Sequence, residues 1–108
     1  MDENNWYGVK CLVEHKGLPV DPGKRVCEER IVLLRASGFD EAIRRAEQEV
    51  EHYTTPTGAT YIGYCNAFKM DAETMEDGIE VYSLMREVAL TPEQFITHYH
   101  DDGTEKSR

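Results

Sequence analysis

The chain lacks the segments that place a protein in or across a membrane. No run of apolar residues approaches the roughly 20 that a membrane-spanning helix needs. The first eight residues, MDENNWYG, are acidic and polar, without the basic and apolar regions of a secretory signal. These absences predict a cytoplasmic protein that has no membrane partner.

Cysteine is scarce and has no pattern of its own. The three cysteines, Cys11, Cys27 and Cys65, are widely spaced in strand-like apolar surroundings. There is no C-x-x-C pair and no Cys/His spacing typical of zinc sites. In an intracellular protein we expect them to be small core residues rather than disulfides or metal ligands.

Motifs for cofactors and nucleophiles are also missing. The eight glycines are dispersed, so no glycine-rich loop is available to bind a phosphate. No Ser or Cys lies beside both a base and an orienting acid, as nucleophilic catalysis would require. Aromatic residues are not interleaved with basic ones, which argues against nucleic acid as a partner. We therefore expect no cofactor and no metal.

Acidic charge is plentiful, and it is concentrated in one part of the chain. The net charge is −9. Residues 1–36 carry six acids and six bases, whereas residues 37–108 carry fifteen acids and six bases. Such a surface favours a basic protein as partner. The candidate interaction surface consists of Glu47, Glu51, Asp71, Glu73, Glu76 and Asp77.

The strongest structural pattern is an apolar run followed by an amphipathic helix. Residues 31–34 (IVLL) predict a strand with both faces at least partly covered. Ser37 is the predicted N-cap of the helix, and Asp40 takes the place of the Glu of a capping box. The apolar stripe of this helix has a spacing of three to four residues and comprises Phe39, Ala42, Ile43, Ala46, Val50 and Tyr53.

The remaining elements complete an α+β fold. Three further segments have side chains that alternate between two faces, as in strands: residues 6–14, 60–70 and 79–88. Thr91 and Pro92 begin a short C-terminal helix with a capping box. The predicted order is β-β-α-β-β-α, a four-stranded antiparallel sheet with the long helix on one face. Strand orders 2-1-3-4 and 1-2-4-3 both remain open. Residues 1–100 form one domain, and 101–108 a flexible polar tail.

Carboxylates within the predicted strands are the weak candidates for a pocket. Glu28 and Glu29 precede the apolar run, and Glu80 lies in the predicted fourth strand. A pair of carboxylates across strands is able to do acid–base chemistry. The alternative is that these residues form ion pairs at the rim of the sheet. We expect no catalytic residue here.

Several short motifs give the chain a resemblance to a known family. They are Trp6-Tyr7, Glu29-Arg30 before residues 31–34, the Ala42 and Ala46 helix, Tyr61-x-Gly63-Tyr64, residues 78–82 (GIEVY) and residues 90–93 (LTPE). Over residues 6–96 the chain resembles an uncharacterised bacterial family of domains of about 100 residues and unknown function. The resemblance implies a bacterial α+β domain and implies no catalytic or ligand-binding residue.

Three functional hypotheses follow. The first is a non-catalytic interaction domain, immunity- or inhibitor-like, with an acidic binding surface. The second is a homodimeric structural or accessory domain that pairs through a partly open sheet face. The third is a small enzyme or ligand-binding domain that uses Glu28, Glu29 or Glu80. The absence of catalytic motifs favours the two non-enzymatic hypotheses.

Overall fold

The computed structural model describes residues 5–71 and 74–100 of the chain. Three strands form one antiparallel sheet: β1 (Asn5–Glu14), β2 (Cys27–Ala36) and β3 (Thr60–Lys69). The central strand is β1, and the order is β2-β1-β3. The direct pairing of β1 with β3 excludes the predicted order 1-2-4-3.

Two helices complete the described structure. α1 (Phe39–Thr54) connects β2 to β3 and continues into a 3₁₀ turn at Thr55–Thr57. α2 (Pro92–Tyr99) begins with the predicted capping box, in which Thr91 and Gln94 bond to each other's backbone amides. The α+β class is confirmed, and the described element order is β-β-α-β-α. Residues 101–108, predicted as a tail, lie outside the described residues.

The predicted four-stranded sheet is wrong, because residues 79–88 do not join it. The preceding turn does form: the amide of Ile79 donates to the carbonyl of Glu76, and Gly78 adopts a φ of +87°. Residues 79–88, beyond this turn, belong to no helix or strand and have no ladder partner among the described residues. Alternating apolar residues favour an extended backbone, but they do not specify which strand it will pair with.

The core lies between the sheet and α1. Alternate residues of β1 point toward the helix, where Val9 and Val13 are fully buried. From α1, Ala42, Ala46 and Val50 are buried against them, as the predicted apolar stripe requires. The small alanines let the helix backbone approach the sheet closely.

The start of α1 differs from the prediction that Ser37 caps it. The helix begins one residue later, with Gly38 as N-cap, and no side chain bonds to its free amides. Glu41 accepts a hydrogen bond from the backbone amide of Ser37 at 2.9 Å. Its carboxylate therefore stabilises the chain entering the helix, and Asp40 and Glu41 both lie at the positive end of the helix dipole.

The expectation that no disulfide forms is wrong for two of the three cysteines. Cys11 on β1 and Cys65 on β3 are directly opposite each other in the strand register, with Cα atoms 4.4 Å apart, and form a disulfide. Cys27 is exposed and free. The bridge lies on the helix-facing side of the sheet and joins its central strand to an edge strand.

Candidate functional site: the open sheet face and the C-terminal arm

The face of the sheet that points away from α1, here called the open face, is only partly covered. The sequence predicts that both faces of residues 31–34 are at least partly covered, and the structure covers them unequally. Val32 and Leu34 pack against the core, whereas Ile31 is 46% exposed and Leu33 is also exposed. The exposed large apolar side chains along the strands are Ile31, Leu33, Ile62 and Tyr64.

A local irregularity in β3 shapes one end of the open face. The register between β1 and β3 shifts between Cys11 and Val13, where three residues of β3 lie opposite one residue of β1. Gly63 lies in this bulge with a φ of +81°, which a residue with a side chain would adopt only with strain. The neighbours of Gly63, Ile62 and Tyr64, are both exposed.

The other end of the open face is covered by aromatic rings. The ring of Phe68 lies directly over Gly8, so that a Cβ atom on Gly8 would be 2.3 Å from it. Tyr82 packs on Phe68 with a ring-centroid distance of 4.5 Å. The Lys10 ammonium group is 5.9 Å from the centre of the Tyr82 ring. Tyr82 thereby attaches the segment after the turn to the face of the sheet rather than to its edge.

Residues 79–100 form what we call the C-terminal arm. From residue 80 to residue 90 no backbone amide donates a hydrogen bond to another described residue. Met85, in the middle of the arm, is 96% exposed. The exposed large apolar side chains of the arm are Val81, Leu84, Met85, Val88, Leu90, Ile96 and Tyr99.

The two parts of the arm also contact each other. The Arg86 guanidinium group lies 4.4 Å from the centre of the Tyr99 ring. Within α2, Phe95 and Tyr99 pack at 5.1 Å between ring centroids. The radius of gyration of the chain is 16.4 Å, whereas a compact chain of this length has about 13 Å. The arm thus leaves much of its apolar surface and much of the open face uncovered.

A polar cluster lies on the helix-facing side of the sheet, around Glu28. Its carboxylate bonds to His15 Nε2 at 2.7 Å and accepts from the Tyr53 hydroxyl at 2.9 and 3.1 Å. The Arg30 guanidinium group lies 3.8 Å from the centre of the Tyr53 ring and forms a two-pronged ion pair with Glu49. Hydrogen bonding to Glu49 raises the pKa of Arg30, outweighing the opposite effect of burial.

The three strand carboxylates proposed as pocket residues do not converge. Glu28 and Glu29 are neighbours in β2, so their side chains point to opposite faces of the sheet. Glu29 pairs with Lys10 at 3.1 Å on the open face. Glu80 is exposed at the start of the arm, outside the sheet. Glu28 and Glu29 are thus held by different partners.

The acidic residues predicted as an interaction surface lie in two places. Glu47 and Glu51 are exposed on α1, and Asp71, Glu76 and Asp77 are exposed in the loop after β3. Glu73 lies outside the described residues. The Glu47 carboxylate accepts a hydrogen bond from the Tyr61 hydroxyl at 2.9 Å. Burial, together with this bond, raises the pKa of Tyr61 to about 12.

Among the described residues, no three His, Cys, Asp or Glu side chains are grouped so as to bind a metal ion. Nor does this part of the chain contain a helix whose length and apolar character would let it cross a membrane. Two surface depressions of the described residues are open to solvent. One lies along α2 beside Glu93 and His98, and the other at the end of α1 beside Glu51 and His52.

No protein family, curated protein or solved structure matches this chain. The resemblance to an uncharacterised bacterial family therefore stays a prediction.

Sequence reasoning missed the residues that make the open face apolar. A run of four apolar residues predicts at least partial cover on both faces, so it does not single out Ile31 and Leu33 as the more exposed pair. A signal was present on the neighbouring strand, where Lys10 lies directly opposite Ile31. A strand with a lysine among its outward residues indicates a face that the chain does not bury by itself.

Proposed function

We propose that this protein is a non-catalytic protein-interaction domain whose contact surface is the open face together with the C-terminal arm. The observation that carries the proposal is the apolar surface itself. Four large apolar side chains are exposed along the strands and seven along the arm. Large exposed apolar areas mark protein-binding sites on soluble domains.

The polar contacts support a binding role rather than catalysis. The Glu28 carboxylate is engaged by His15 and Tyr53, and the carboxylate of Glu29 by Lys10. Both carboxylates are thus engaged with side chains of the same chain. An acid or base available to a substrate would instead be expected to face a cleft.

The acidic residues have a secondary role in this proposal. Glu76 and Asp77 lie in the turn that leads into the arm, and Glu80 follows directly. Exposed charges at the rim of an interface accelerate association and set partner preference, while apolar contacts at its centre provide most of the affinity. A cytoplasmic location remains a prediction for the same protein.

Site-specific photo-crosslinking tests the proposal. A photoreactive phenylalanine analogue replaces Ile31 on the open face or Leu84 on the arm, in cells that produce the chain. The matched control position is Leu18, which is 50% exposed in the loop between β1 and β2. We expect protein adducts from Ile31 and Leu84 and none from Leu18.

Illumination without any adduct from Ile31 or Leu84 would overturn the proposal. Equal adduct yields from all three positions would overturn it as well, since apolar exposure alone would then explain the capture.

A further inference from the structure

The open face and the C-terminal arm are two surfaces whose apolar side chains the chain itself leaves partly exposed. The arm touches its own sheet through Tyr82, which packs on Phe68 above Gly8. Past this contact, Leu84 and Met85 are exposed, and so are Ile31 and Leu33 toward the other edge of the sheet. Within a single chain, therefore, the arm does not cover the face.

The helix within the arm, α2, has a beginning that is defined by local side-chain contacts. Thr91 and Gln94 form a complete capping box at the start of α2, and Pro92 occupies a first-turn position. An eight-residue helix is marginal without tertiary contacts. Ile96 and Tyr99 nevertheless remain exposed on it. A helix with such a defined beginning is expected to pack against a surface. The described chain leaves Ile96 half exposed, and Tyr99 contacts Arg86 and its own end of the arm.

The uncovered area matches what a specific interface needs. Eleven large apolar side chains, on average about half exposed, lie on the open face and the arm. With about 170 Å² for each fully exposed side chain, they leave on the order of 900 Å² per copy. A standard protein–protein interface buries roughly 800 Å² on each partner.

The arm and the open face differ in charge. The arm carries Glu80, Glu87 and Glu93 against a single base, Arg86. In the pairing between β1 and β2 the open face presents two bases and two acids, Lys10 and Arg35 against Glu14 and Glu29. The arm is therefore net acidic and the face is neutral along these two strands, so charge does not oppose their contact.

We infer that the partner is a second copy of this chain, and that the arm of each copy lies on the open face of the other. The inference rests on the proposed function and names its partner. The apolar arm and the open face each occur once per chain. In a dimer with a two-fold axis, the arm of each copy covers the open face of the other at the same time. Such a dimer leaves no arm and no open face for a third copy.

Sedimentation equilibrium of the full chain is the first test. The chain has a mass of 12.4 kDa, so the dimer has twice that mass. We expect the dimer to predominate as the concentration rises from about 1 to 200 µM. A chain that stays monomeric over this range would overturn the inference.

Three matched variants locate the contact. Leu84→Glu alters the arm, Ile31→Glu alters the face, and Leu18→Glu is the control at a comparably exposed position. All three positions are exposed, so each variant should keep the far-ultraviolet circular dichroism of the parent. We expect the first two to raise the dissociation constant at least about 100-fold and the control to leave it unchanged. A dimer that survives either substitution, or that the control also abolishes, would contradict the inference.

Mixing the arm and face variants tests the exchange itself. The Leu84→Glu chain still has an intact face, and the Ile31→Glu chain still has an intact arm. Together they form one complete arm-on-face contact, so a heterodimer should appear where neither variant associates alone. If faces instead contacted faces and arms contacted arms, each contact in the mixed pair would contain one substituted side chain. No complete contact would then form. A mixture that stays monomeric would therefore overturn the exchange.

The crosslinking outcomes separate this inference from the proposed function. Adducts from Ile31 at twice the mass of the chain support the second copy. Adducts only at other masses would leave the interaction domain standing and overturn the dimer.

Discussion

The two faces of the sheet differ in how the chain covers them. On one face, Val9 and Val13 are buried beneath α1, and a disulfide links two strands. On the other, Ile31 and Leu33 are exposed, and Tyr82 packs over only one end. The covered face receives its helix from the same chain, between β2 and β3. The comparison teaches that this chain covers one face of its sheet with its own helix and leaves much of the other face exposed.

The disulfide provides the largest expected effect on the covered face. Replacing both Cys11 and Cys65 with serine removes a bridge that spans 54 residues of sequence. The chain-entropy relation predicts a loss of about 4 kcal/mol in the free energy of unfolding. Urea unfolding of the oxidised parent and the variant measures it. Cys27→Ser is the control and should have little effect, since Cys27 is exposed and free.

Equal stabilities of the parent and the double variant would contradict the bridge. Thiol titration gives an independent check, with one reactive thiol expected in the oxidised protein and three after reduction. The result also bears on the compartment, because disulfides persist in oxidising surroundings.

Truncating one apolar side chain on each face tests the comparison directly. Val13 is fully buried, so Val13→Ala should cost about 2 kcal/mol through lost burial and the cavity it leaves. Ile31 is nearly half exposed, so Ile31→Ala should cost less than about 1 kcal/mol in dilute monomer. Both changes place alanine in a strand, which makes them a matched pair in urea unfolding. Similar losses would show that the two faces are equally well packed.

Gly8 is where a side chain would disturb the open face. In Gly8→Ala the new Cβ lies 2.3 Å from the Phe68 ring, which must move together with Tyr82. We expect a loss of about 1–3 kcal/mol from this overpacking. Gly17→Ala is the control, because nothing lies within 4 Å of a Cβ atom there. The rings' nuclear magnetic resonance shifts should change in the Gly8 variant only. Unchanged rings would contradict the contact.

The smallest expected effect is a pH dependence at the helix-facing side. The pKa of Tyr61 is raised to about 12 from its ordinary value of 10 by burial and by its bond to Glu47. The folded state therefore keeps the phenol proton that the unfolded chain loses above pH 10. The stabilisation is complete below pH 10 and declines as the pH rises toward 12.

Ultraviolet titration of tyrosinate formation measures this pKa. Glu47→Gln removes the charge but leaves an oxygen that accepts hydrogen bonds, so the pKa should fall only part of the way. Tyr61→Phe should remove the late-titrating component. A titration curve that is the same in parent and Tyr61→Phe would refute the assignment.

The sequence predicts the elements of this fold better than their partners. Helical spacing from Phe39 onward identifies α1, and the Thr91–Gln94 capping box marks the beginning of α2. Alternation identifies β1 and β3 to within one residue at each end. These signals are local, because each depends on side chains only a few residues apart.

What the sequence did not predict depends on contacts between distant residues. Cys11 and Cys65 are joined because β1 and β3 are neighbours in a register that puts these two residues opposite each other. Apolar and polar side chains alternate in residues 79–88 as they do in a strand. Yet Tyr82 packs on Phe68, on the face of the sheet rather than at its edge. The run of residues 31–34 does not reveal which of its faces α1 will cover. The sequence therefore predicts a partly open sheet face but not which side chains of this run are exposed on it.

Methionine oxidation tests the central claim most directly, namely that another protein covers the open face and the arm. Met85 is 96% exposed, Met75 is 41% exposed, and Met70 is buried. In dilute protein, mass spectrometry should find Met85 oxidised fastest and Met70 slowest. As the concentration rises, or in extracts of the producing cells, oxidation of Met85 should fall below that of Met75. If Met85 stays the fastest under every condition, nothing covers the arm and the account is wrong.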